Sequence, residues 1–393
     1  MRVTFLWHCT YPWDIRIYKM IRSCMKCGFT VDIICKGKEG YPRRENTNDF
    51  SIYRVGKHDT KLGKILSYPL FFNRIWWNDC SEILSSRLPS LLIVRDIPLA
   101  MTAIWLGRKF NIPVILDMAE NYPAALISYK NPHYKPFLIF NAVLPRCYEQ
   151  VVVNRIDHIA VVAEEQIKRL GNVGVPERKI SVIRNTPDSS FFNNGKLSNG
   201  ELPVSFKQVS PIILYVGKLD PHRGVDILIQ SLPMIQKAYP NAGLLLIGDG
   251  KFRQQLECQV KELRLKNHVF FTGWVDHTLL PAYIKMSTLC CIPHYKSEHT
   301  DTTIPNKLFD YMGFGKPVVS SNLSPVSRII KATGSGVCYE DKNYKALAQS
   351  VIRTLENNEI EKMSNNGMEW VKKTYNWETD GHNFLTMLEK YRK

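Results

Sequence analysis

Short apolar runs alternate with longer amphipathic stretches along the whole chain. Amphipathic spacing in the first half predicts helices such as Ile15–Cys27 and Leu99–Phe110. Buried strands are predicted by the apolar runs Val3–Trp7, Val31–Cys35, Leu91–Val94, Val114–Leu116, His158–Val162 and Ile180–Ile183. Strands that alternate with helices in this way form a parallel sheet with helices on both faces.

The alternation stops at residues 193–210, which are polar, contain Gly and Pro and follow no period, as is typical of a linker. It then restarts. The second set of predicted strands is Ile212–Val216, Gly243–Ile247, His268–Phe271, Leu289–Ile292, Pro317–Ser320 and Gly336–Tyr339. The second set of predicted helices is Val225–Ala238, Arg253–Leu263, Leu279–Met286, Asn306–Met312 and Tyr344–Asn357.

The pattern therefore predicts an α/β protein with two tandem Rossmann-like, doubly wound domains that face each other across a cleft. We expect an N-terminal domain over residues 1–195 and a C-terminal domain over residues 196–393. A last helix at about residues 376–393 is expected to return to the N-terminal domain. The length of 393 residues suits two domains of roughly 150–200 residues each.

Composition narrows the class of partner. The 52 Lys and Arg against 36 Asp and Glu give a formal charge of +16, which favours an anionic partner: nucleic acid, anionic lipid or a phosphorylated substrate. The sequence lacks a signal-peptide pattern and a run of about 18 apolar residues, so we expect a cytoplasmic protein whose membrane contact, if any, is peripheral. Cys24 and Cys27 form a CxxC without a second pair, so no metal site is expected.

Ligands of doubly wound sheets bind beyond the carboxyl ends of the strands. The loop after Ile212–Val216 reads GKLDPHRG from Gly217 to Gly224 and opens a helix, whose first N–H groups favour an anion. Lys218 and Arg223 could clamp a diphosphate there, although solvated surface cations are the alternative. Gly248 begins the next such loop.

A later loop supplies further candidate ligand contacts. Pro305 can start a helix, which would place Asn306 and Lys307 near the anion. Asp310, one turn further along, could accept both hydroxyls of a ribose, or could be a helix-surface charge.

These motifs resemble the family-four retaining glycosyltransferases with the GT-B fold. Residues 217–224 resemble the family's G-R-L-x-x-x-K-G element with Arg and Lys exchanged, and DYMGFGKPVV at Asp310–Val319 resembles E-A-M-A-x-G-x-P-V-V. The resemblance implies that Lys218 and Arg223 bind the donor diphosphate and that Asp310 binds the ribose. It also implies that Trp274 and Val275 contact the base, which would be uracil or guanine.

The sequence departs from the family at one position. The family's first acid, which contacts the donor sugar, should lie eight residues before Asp310, where this chain has Thr302. Asp301 or Glu298 could compensate, or the chain belongs with members that read P-N-K-L-F-E-Y and use the loop differently.

The N-terminal domain carries polar residues after three strands. Asp14 and Arg16 follow the first strand, Arg95 and Asp96 follow Leu91–Val94, and all four are predicted to contact the acceptor. Asp14 and Arg16 also suit a helix cap and a surface charge. Residues 117–123 resemble the family's D-x-H-E-x-Y-P, with Ala119 at the His position, which implies a catalytic role for Glu120; a buried structural Glu is the alternative.

A basic and aromatic stretch at Lys57–Trp77 suits an interface with anionic headgroups, or core packing. Its cations are Lys57, Lys61, Lys64 and Arg74, and its aromatics are Phe71, Phe72, Trp76 and Trp77. Tyr129–Phe140 has a similar composition. Lipid-linked acceptors, which the family often uses, agree with a peripheral membrane contact.

The resulting prediction is a retaining glycosyltransferase that needs no metal and moves a hexosyl or N-acetylhexosaminyl group from a UDP- or GDP-sugar to a glycan or lipid-linked acceptor. The rival enzyme is a nucleotide-sugar epimerase on the same scaffold. A nucleic-acid-binding protein, suggested by charge alone, lacks a groove-reading or base-stacking module, so nucleic acid is not the expected partner.

Overall fold

The computed structural model describes residues 1–12, 14–47, 49–56, 73–128, 143–193, 208–356 and 359–392. The chain divides into two compact units. The first contains Met1–Asn185 together with Asp380–Lys393, and the second contains Thr186–Thr379. The first boundary falls within the segment Asn185–Asp188, ahead of the boundary after residue 195 that the sequence predicts.

The first unit is built on an eight-stranded sheet in the order β3-β4-β2-β1-β5-β6-β7-β8. All neighbouring strands are parallel except β3, which pairs antiparallel with β4 at the edge. The strands are β1 Arg2–Trp7, β2 Thr30–Lys36, β3 Arg44–Asn46, β4 Ser51–Val55, β5 Leu91–Arg95, β6 Val114–Met118, β7 His158–Val161 and β8 Ile180–Val182.

Amphipathic helices cover this sheet, because each buries an apolar stripe against it. They are α1 Ile15–Lys26, α2 Arg74–Ser86, α3 Ala100–Phe110, α4 Tyr122–Ser128, α5 Val143–Val153 and α6 Glu165–Gly171. Trp76 is 0% exposed, and Trp77 packs against the same core. Trp76 therefore belongs to the core and Trp77 packs against it, so for these two rings the structure favours core packing, the second of the two interpretations given above. Lys57, Lys61, Lys64, Phe71, Phe72 and Tyr129–Phe140 lie outside the described residues.

The second unit is built on a six-stranded, all-parallel sheet in the order β11-β10-β9-β12-β13-β14. Its strands are β9 Ile212–Val216, β10 Gly243–Ile247, β11 Val269–Gly273, β12 Leu289–Ile292, β13 Val318–Ser321 and β14 Gly336–Tyr339. Leu214, Leu245 and Cys290 are fully buried, as expected when helices cover both faces of a parallel sheet.

The helices of the second unit are α7 Ser189–Asn193, α8 Val225–Ala238, α9 Arg253–Glu262, α10 Leu280–Met286, α11 Lys307–Gly313, α12 Ser324–Thr333, α13 Tyr344–Glu356 and α14 Ile360–Lys373. The last helix, α15 Trp377–Glu389, begins in the second unit and ends in the first. Asp380 is fully buried and accepts hydrogen bonds from Arg184 N and Nη1, both at 3.3 Å. The predicted return of the C-terminal helix to the first domain is thereby confirmed.

Both units are doubly wound α/β domains, which confirms the predicted fold class. Four strands and the helix α8 have the predicted bounds, and other predicted ends differ by one or two residues, as frayed ends commonly do. The hairpin β3–β4 and the helices α2, α5, α12 and α14 were not predicted. Within the described ranges, no helix is both long enough and apolar enough to cross a membrane.

Candidate functional site

The strand order of the second sheet reverses between β9 and β12, because β10 and β11 lie on one side of β9 and β13 and β14 lie on the other. The loops that follow these two strands therefore meet at the carboxyl edge of the sheet. Such a switch point is where doubly wound sheets bind ligands. Arg223 comes from the loop after β9, and His294 and Lys307 come from the segment after β12.

Three basic side chains converge at this edge. His294 is 1% exposed, and its two ring nitrogens face two different cations. Its Nδ1 lies 3.4 Å from Nη1 of Arg223, and its Nε2 lies 3.3 Å from Nζ of Lys307. Among the described residues, no carboxylate lies within ion-pair distance of Arg223 or Lys307. Cations that are partly buried and lack a counter-ion among these described residues favour the binding of an anion.

The surrounding residues hold this cluster in place. Nζ of Lys307 lies 4.1 Å from the ring centroid of Tyr215, a cation–π contact. An ideal Cβ on Gly217 would lie 2.8 Å from the same Nζ, so a larger residue would displace the lysine. Gly224, at a φ of +65°, sits against the backbone carbonyl of Pro293, which brings the β9 loop next to the β12 loop.

Burial of its ammonium group lowers the pKa of Lys307 well below its ordinary value, the neighbouring Arg223 lowers it further, and Asp310 opposes both. Burial also lowers the pKa of His294, with Lys307 and Arg223 as the next causes. A positive charge on either group is therefore unfavourable in these surroundings, and a bound anion would stabilise it. Nε of Arg223 is buried and has no hydrogen-bond partner among the described residues, which leaves a donor for that anion.

The other predicted donor contacts occupy different environments. Lys218 is exposed, and its backbone carbonyl accepts a 2.8 Å hydrogen bond from Tyr215. The N–H groups of Gly217 and Gly248 already donate to Ile247 and Gly273, so these glycines bring two loops together but have no free N–H for a phosphate. Asn306 is exposed at the start of α11.

In the segment where the family has its first acid, the side chains of Thr302 and Asp301 form hydrogen bonds within the protein. The hydroxyl of Thr302 donates to the backbone carbonyls of Glu298 and His299 at 2.9 and 3.1 Å. Asp301 accepts from the N–H and the hydroxyl of Ser324, both at 2.9 Å, and so caps α12. Compensation for Thr302 by Asp301 is therefore not favoured by this geometry.

Three predicted contacts lie further along the same edge. Asp310 is half-buried on α11, one turn after Lys307. Trp274 follows β11 and is 66% exposed, while Val275 is half-buried. An exposed indole at the carboxyl end of a strand offers a flat apolar surface on which a ring can stack.

The first unit contains a buried ion cluster at the carboxyl edge of its own sheet. Asp117, at the end of β6, is 1% exposed. It accepts from Nε and Nη2 of Arg16, the latter at 2.7 Å, and from Nη1 of Arg95 at 3.1 Å. Burial raises the pKa of Asp117, but Arg16 and Arg95 outweigh it and hold the pKa below its usual value. Because Arg16 is itself 1% exposed, it has a structural role, and we do not retain it as an acceptor contact.

Arg95 links this cluster to two other carboxylates. Its Nη2 lies 3.3 Å from Oδ2 of Asp14, and its Nη1 lies 3.5 Å from Oδ1 of Asp96. Asp14 also caps α1, since its Oδ1 accepts from the N–H of Arg16 at 2.8 Å. Asp96 has a φ of +59° and a ψ of 172°, a strained conformation of the kind found at ligand sites.

Glu120 is half-buried between the end of β6 and the start of α4. Burial raises the pKa of Asp96, and the charge of Glu120 is among the smaller causes that raise it too. Glu120 therefore lies close enough to Asp96 to form part of the same polar edge.

Sequence reasoning missed His294 and the central position of Asp117. His294 directly follows Pro293 at the end of a buried strand, where ligand-binding residues collect, and this placement was the available signal. Asp117 is also at a strand end, but a sequence does not reveal that two arginines from distant segments share one carboxylate.

Comparisons with known proteins bear on the whole chain. Residues 14–186 match the model of the glycosyl transferase 4-like domain, and residues 203–370 match that of the glycosyl transferases group 1. An uncharacterized glycosyltransferase of Methanocaldococcus jannaschii is 27% identical over 380 residues, which cover 91% of this chain and 89% of the relative.

Solved structures share the fold at low identity. The sucrose-phosphate synthase of Thermosynechococcus elongatus has a TM-score of 0.78 at 18% identity and covers 100% of this chain and 98% of its own. HepE of Anabaena in complex with UDP has a TM-score of 0.73 at 13% identity and covers 99% of this chain and 100% of its own. Together the two matched domains extend over most of the sequence. The chain therefore belongs to the family 4 glycosyltransferases and has the two α/β domains of the GT-B fold.

Proposed function

We propose that this glycosyltransferase takes its sugar from a nucleoside diphosphate-sugar whose diphosphate binds between Arg223 and Lys307. The observation that carries the proposal is a pair of half-buried cations at the switch point of the second sheet, neither of which has a carboxylate partner in the described part of the chain. Arg can bind two phosphate oxygens with its fork, and Lys acts as a point charge. Lys218 adds an exposed cation from the same loop.

The nucleoside part of the donor would extend along the same edge. Asp310 would accept hydrogen bonds from the ribose hydroxyls, and Trp274 with Val275 would contact the base. HepE, which has the same fold, was solved with UDP. A relative from Mycobacterium tuberculosis, 22% identical over 227 residues, is a GDP-mannose-dependent mannosyltransferase, so we propose a uridine or a guanosine diphosphate-sugar as the donor.

In the proposed reaction the bond between the anomeric carbon and the diphosphate oxygen breaks, and a bond from that carbon to the acceptor oxygen forms. The acceptor's hydroxyl proton leaves with the diphosphate. The sugar passes through an oxocarbenium-like state, as in other glycosyl transfers. Arg223, Lys307 and Lys218 stabilise the charge of the departing diphosphate, so we propose that the reaction needs no metal. We also propose that it retains the anomeric configuration, which rests on the resemblance to the family-four retaining glycosyltransferases.

The acceptor would bind the polar edge of the first unit. Arg95, Asp14 and Asp96 form one linked group there, and their carboxylates can accept hydrogen bonds from sugar hydroxyls. Glu120 would orient the attacking hydroxyl or stabilise the transition state. We propose a glycan or a lipid-linked glycan as the acceptor.

A screen of nucleotide-sugars by thermal shift tests the donor site, because a ligand that binds only the folded state raises its melting temperature. UDP- or GDP-sugars should raise the melting temperature of the second unit, and Arg223→Ala should remove that shift. Arg353→Ala, at an exposed position on α13, is the matched control and should keep it. An unchanged shift in Arg223→Ala would refute the diphosphate pocket.

Turnover tests the reaction itself. Release of the nucleoside diphosphate should depend on an acceptor, persist in EDTA and yield a product with the donor's anomeric configuration by NMR. Conversion of the donor sugar without an acceptor would instead identify an epimerase.

We also propose peripheral contact with an anionic membrane. The net charge of +16 favours it. Val143, Cys147 and Val151 form an exposed apolar stripe at helical spacing on α5, and Val143 is 66% exposed. Co-sedimentation with anionic but not neutral vesicles tests this contact, and Val143→Asp should weaken it.

A further inference from the structure

His294 stands in an unusual position, because a neutral imidazole has one nitrogen that accepts and one that donates. Both of its nitrogens face side chains that can only donate when charged: Arg223 at 3.4 Å and Lys307 at 3.3 Å. A neutral His294 can therefore accept from one of them only, and a protonated His294 can accept from neither.

The other groups around His294 do not resolve this conflict. His222 and His299 also face it and disfavour its positive charge, and Asp310 acts on the pocket through Lys307. The ring of Tyr215 lies edge-on at 6.5 Å. These neighbours therefore disfavour a proton on His294. This agrees with the lowered pKa of its imidazole, for which burial is the largest cause.

A diphosphate reverses the balance. Its oxygens would accept hydrogen bonds from Arg223 and Lys307. His294 would then no longer need to accept a hydrogen bond from either side chain. The negative charge next to the ring then favours the protonated imidazolium, which donates from both nitrogens. We infer that His294 is a positioning residue of the donor site that takes up a proton when the diphosphate binds and becomes its third cationic donor.

This inference rests on the proposed donor site, and the two can fail separately. Titration calorimetry with UDP-glucose and with GDP-mannose at pH 7, in PIPES and in Tris buffers, counts the protons exchanged, because the two buffers have different heats of ionisation and neither is a phosphate that would compete for the site. A nucleotide-sugar is the right probe, since its diphosphate has no terminal phosphate that titrates near pH 7. We expect a net uptake of between about half and one proton for each donor bound, and binding that tightens by up to about tenfold for each unit of decrease in pH between 8 and 6.

Variants identify the residue that takes up the proton. His294→Gln keeps a side chain that can accept a hydrogen bond but cannot be protonated, so the uptake should disappear and the dissociation constant should become nearly independent of pH. Lys307→Arg removes the other group that could titrate and should keep the uptake. His222→Gln, a neighbouring histidine in the same pocket, is the matched control and should also keep it.

The outcomes separate the two proposals. Binding with equal heats in the two buffers, or an uptake that persists in His294→Gln or disappears in Lys307→Arg, overturns the role of His294 and leaves the donor site in place. Failure of both nucleotide-sugars to bind the wild-type protein overturns both proposals. Should His294→Gln not fold, the buffer comparison on the wild-type protein and on Lys307→Arg still decides whether a proton other than that of the lysine is taken up.

Discussion

At the scale of single residues, Asp117 shows how much depends on one buried carboxylate. It neutralises Arg16 and contacts Arg95, and both arginines are nearly inaccessible to water. Asp117→Asn keeps the shape but leaves two buried cations without that counter-charge. We expect the free energy of unfolding of the first unit to fall by about 3–5 kcal/mol, measured by denaturant titration.

The matched control for Asp117→Asn is a surface ion pair. Glu389 lies 3.1 Å from Arg392, and both side chains are exposed. Glu389→Gln should therefore leave the free energy of unfolding of the first unit unchanged. An equally stable Asp117→Asn protein would mean that Arg16 and Arg95 find other partners on folding.

The sequence predicts which residues lie at an edge better than it predicts what they contact. Arg16 and Arg95 both follow strands, yet Arg16 is buried because α1 turns it towards the sheet, where Asp117 holds it. Periodicity places a residue on a helix but does not show which distant carboxylate pairs with it. His294 was missed for a similar reason, since its importance lies in two partners that are 71 and 13 residues away along the chain.

At the scale of elements, Gly224 joins the two loops that build the cation cluster. Its φ of +65° strains any other residue, and a Cβ there would overlap the carbonyl group of Pro293. Gly224→Ala should therefore destabilise the second unit by about 2–4 kcal/mol and weaken nucleotide binding at the same time. Denaturant titration and thermal shift with UDP-glucose measure the two effects.

Gly171→Ala provides the comparison for Gly224→Ala. Gly171 ends α6, has no atoms within 4 Å of an added Cβ and does not adopt a positive φ. Alanine should be neutral or slightly stabilising there, as is usual at a compatible glycine. A Gly224→Ala protein as stable as Gly171→Ala would show that the loop relaxes freely.

Long apolar runs made most elements predictable, because a strand covered on both faces must be apolar throughout. The edge hairpin was not predicted, because its strand β3 reads Arg-Glu-Asn and has no apolar residue. It exists because β4 offers an unpaired edge, which is a tertiary cause. The helix α14 was missed because its buried face carries only Met363, Gly367 and Val371. The polar residues Ser364–Asn366 directly after Met363 hide the apolar spacing.

At the scale of the whole molecule, several histidines are buried in neutral form. Burial lowers the pKa of His158, His222 and His299 to about 4, and that of His294 also falls well below its usual value. An unfolded histidine titrates near 6.5, so below that pH the unfolded chain binds more protons than the folded one. Stability should be complete above about pH 6.5 and decline as the pH falls towards about 4.

Melting temperatures recorded between pH 7.5 and 4.5 measure this decline. His158→Gln can keep the 2.8 Å hydrogen bond to Ser181. It should reduce the fall in melting temperature of the first unit at low pH and leave the fall for the second unit unchanged. A melting temperature that stays constant over this range would contradict the neutral burial of these rings.

The last helix has a consequence for how such a protein can be recombined. Its residues from Asp380 onwards complete the first unit, where Asp380 bonds Arg184 and the Tyr391 hydroxyl donates to the carbonyl of Asp157. The first unit is thus encoded by two separated stretches of the gene. A chimera made by one crossover near Asn185 would pair the body of one parent with the tail of the other, so an exchange of the whole first unit needs two crossovers.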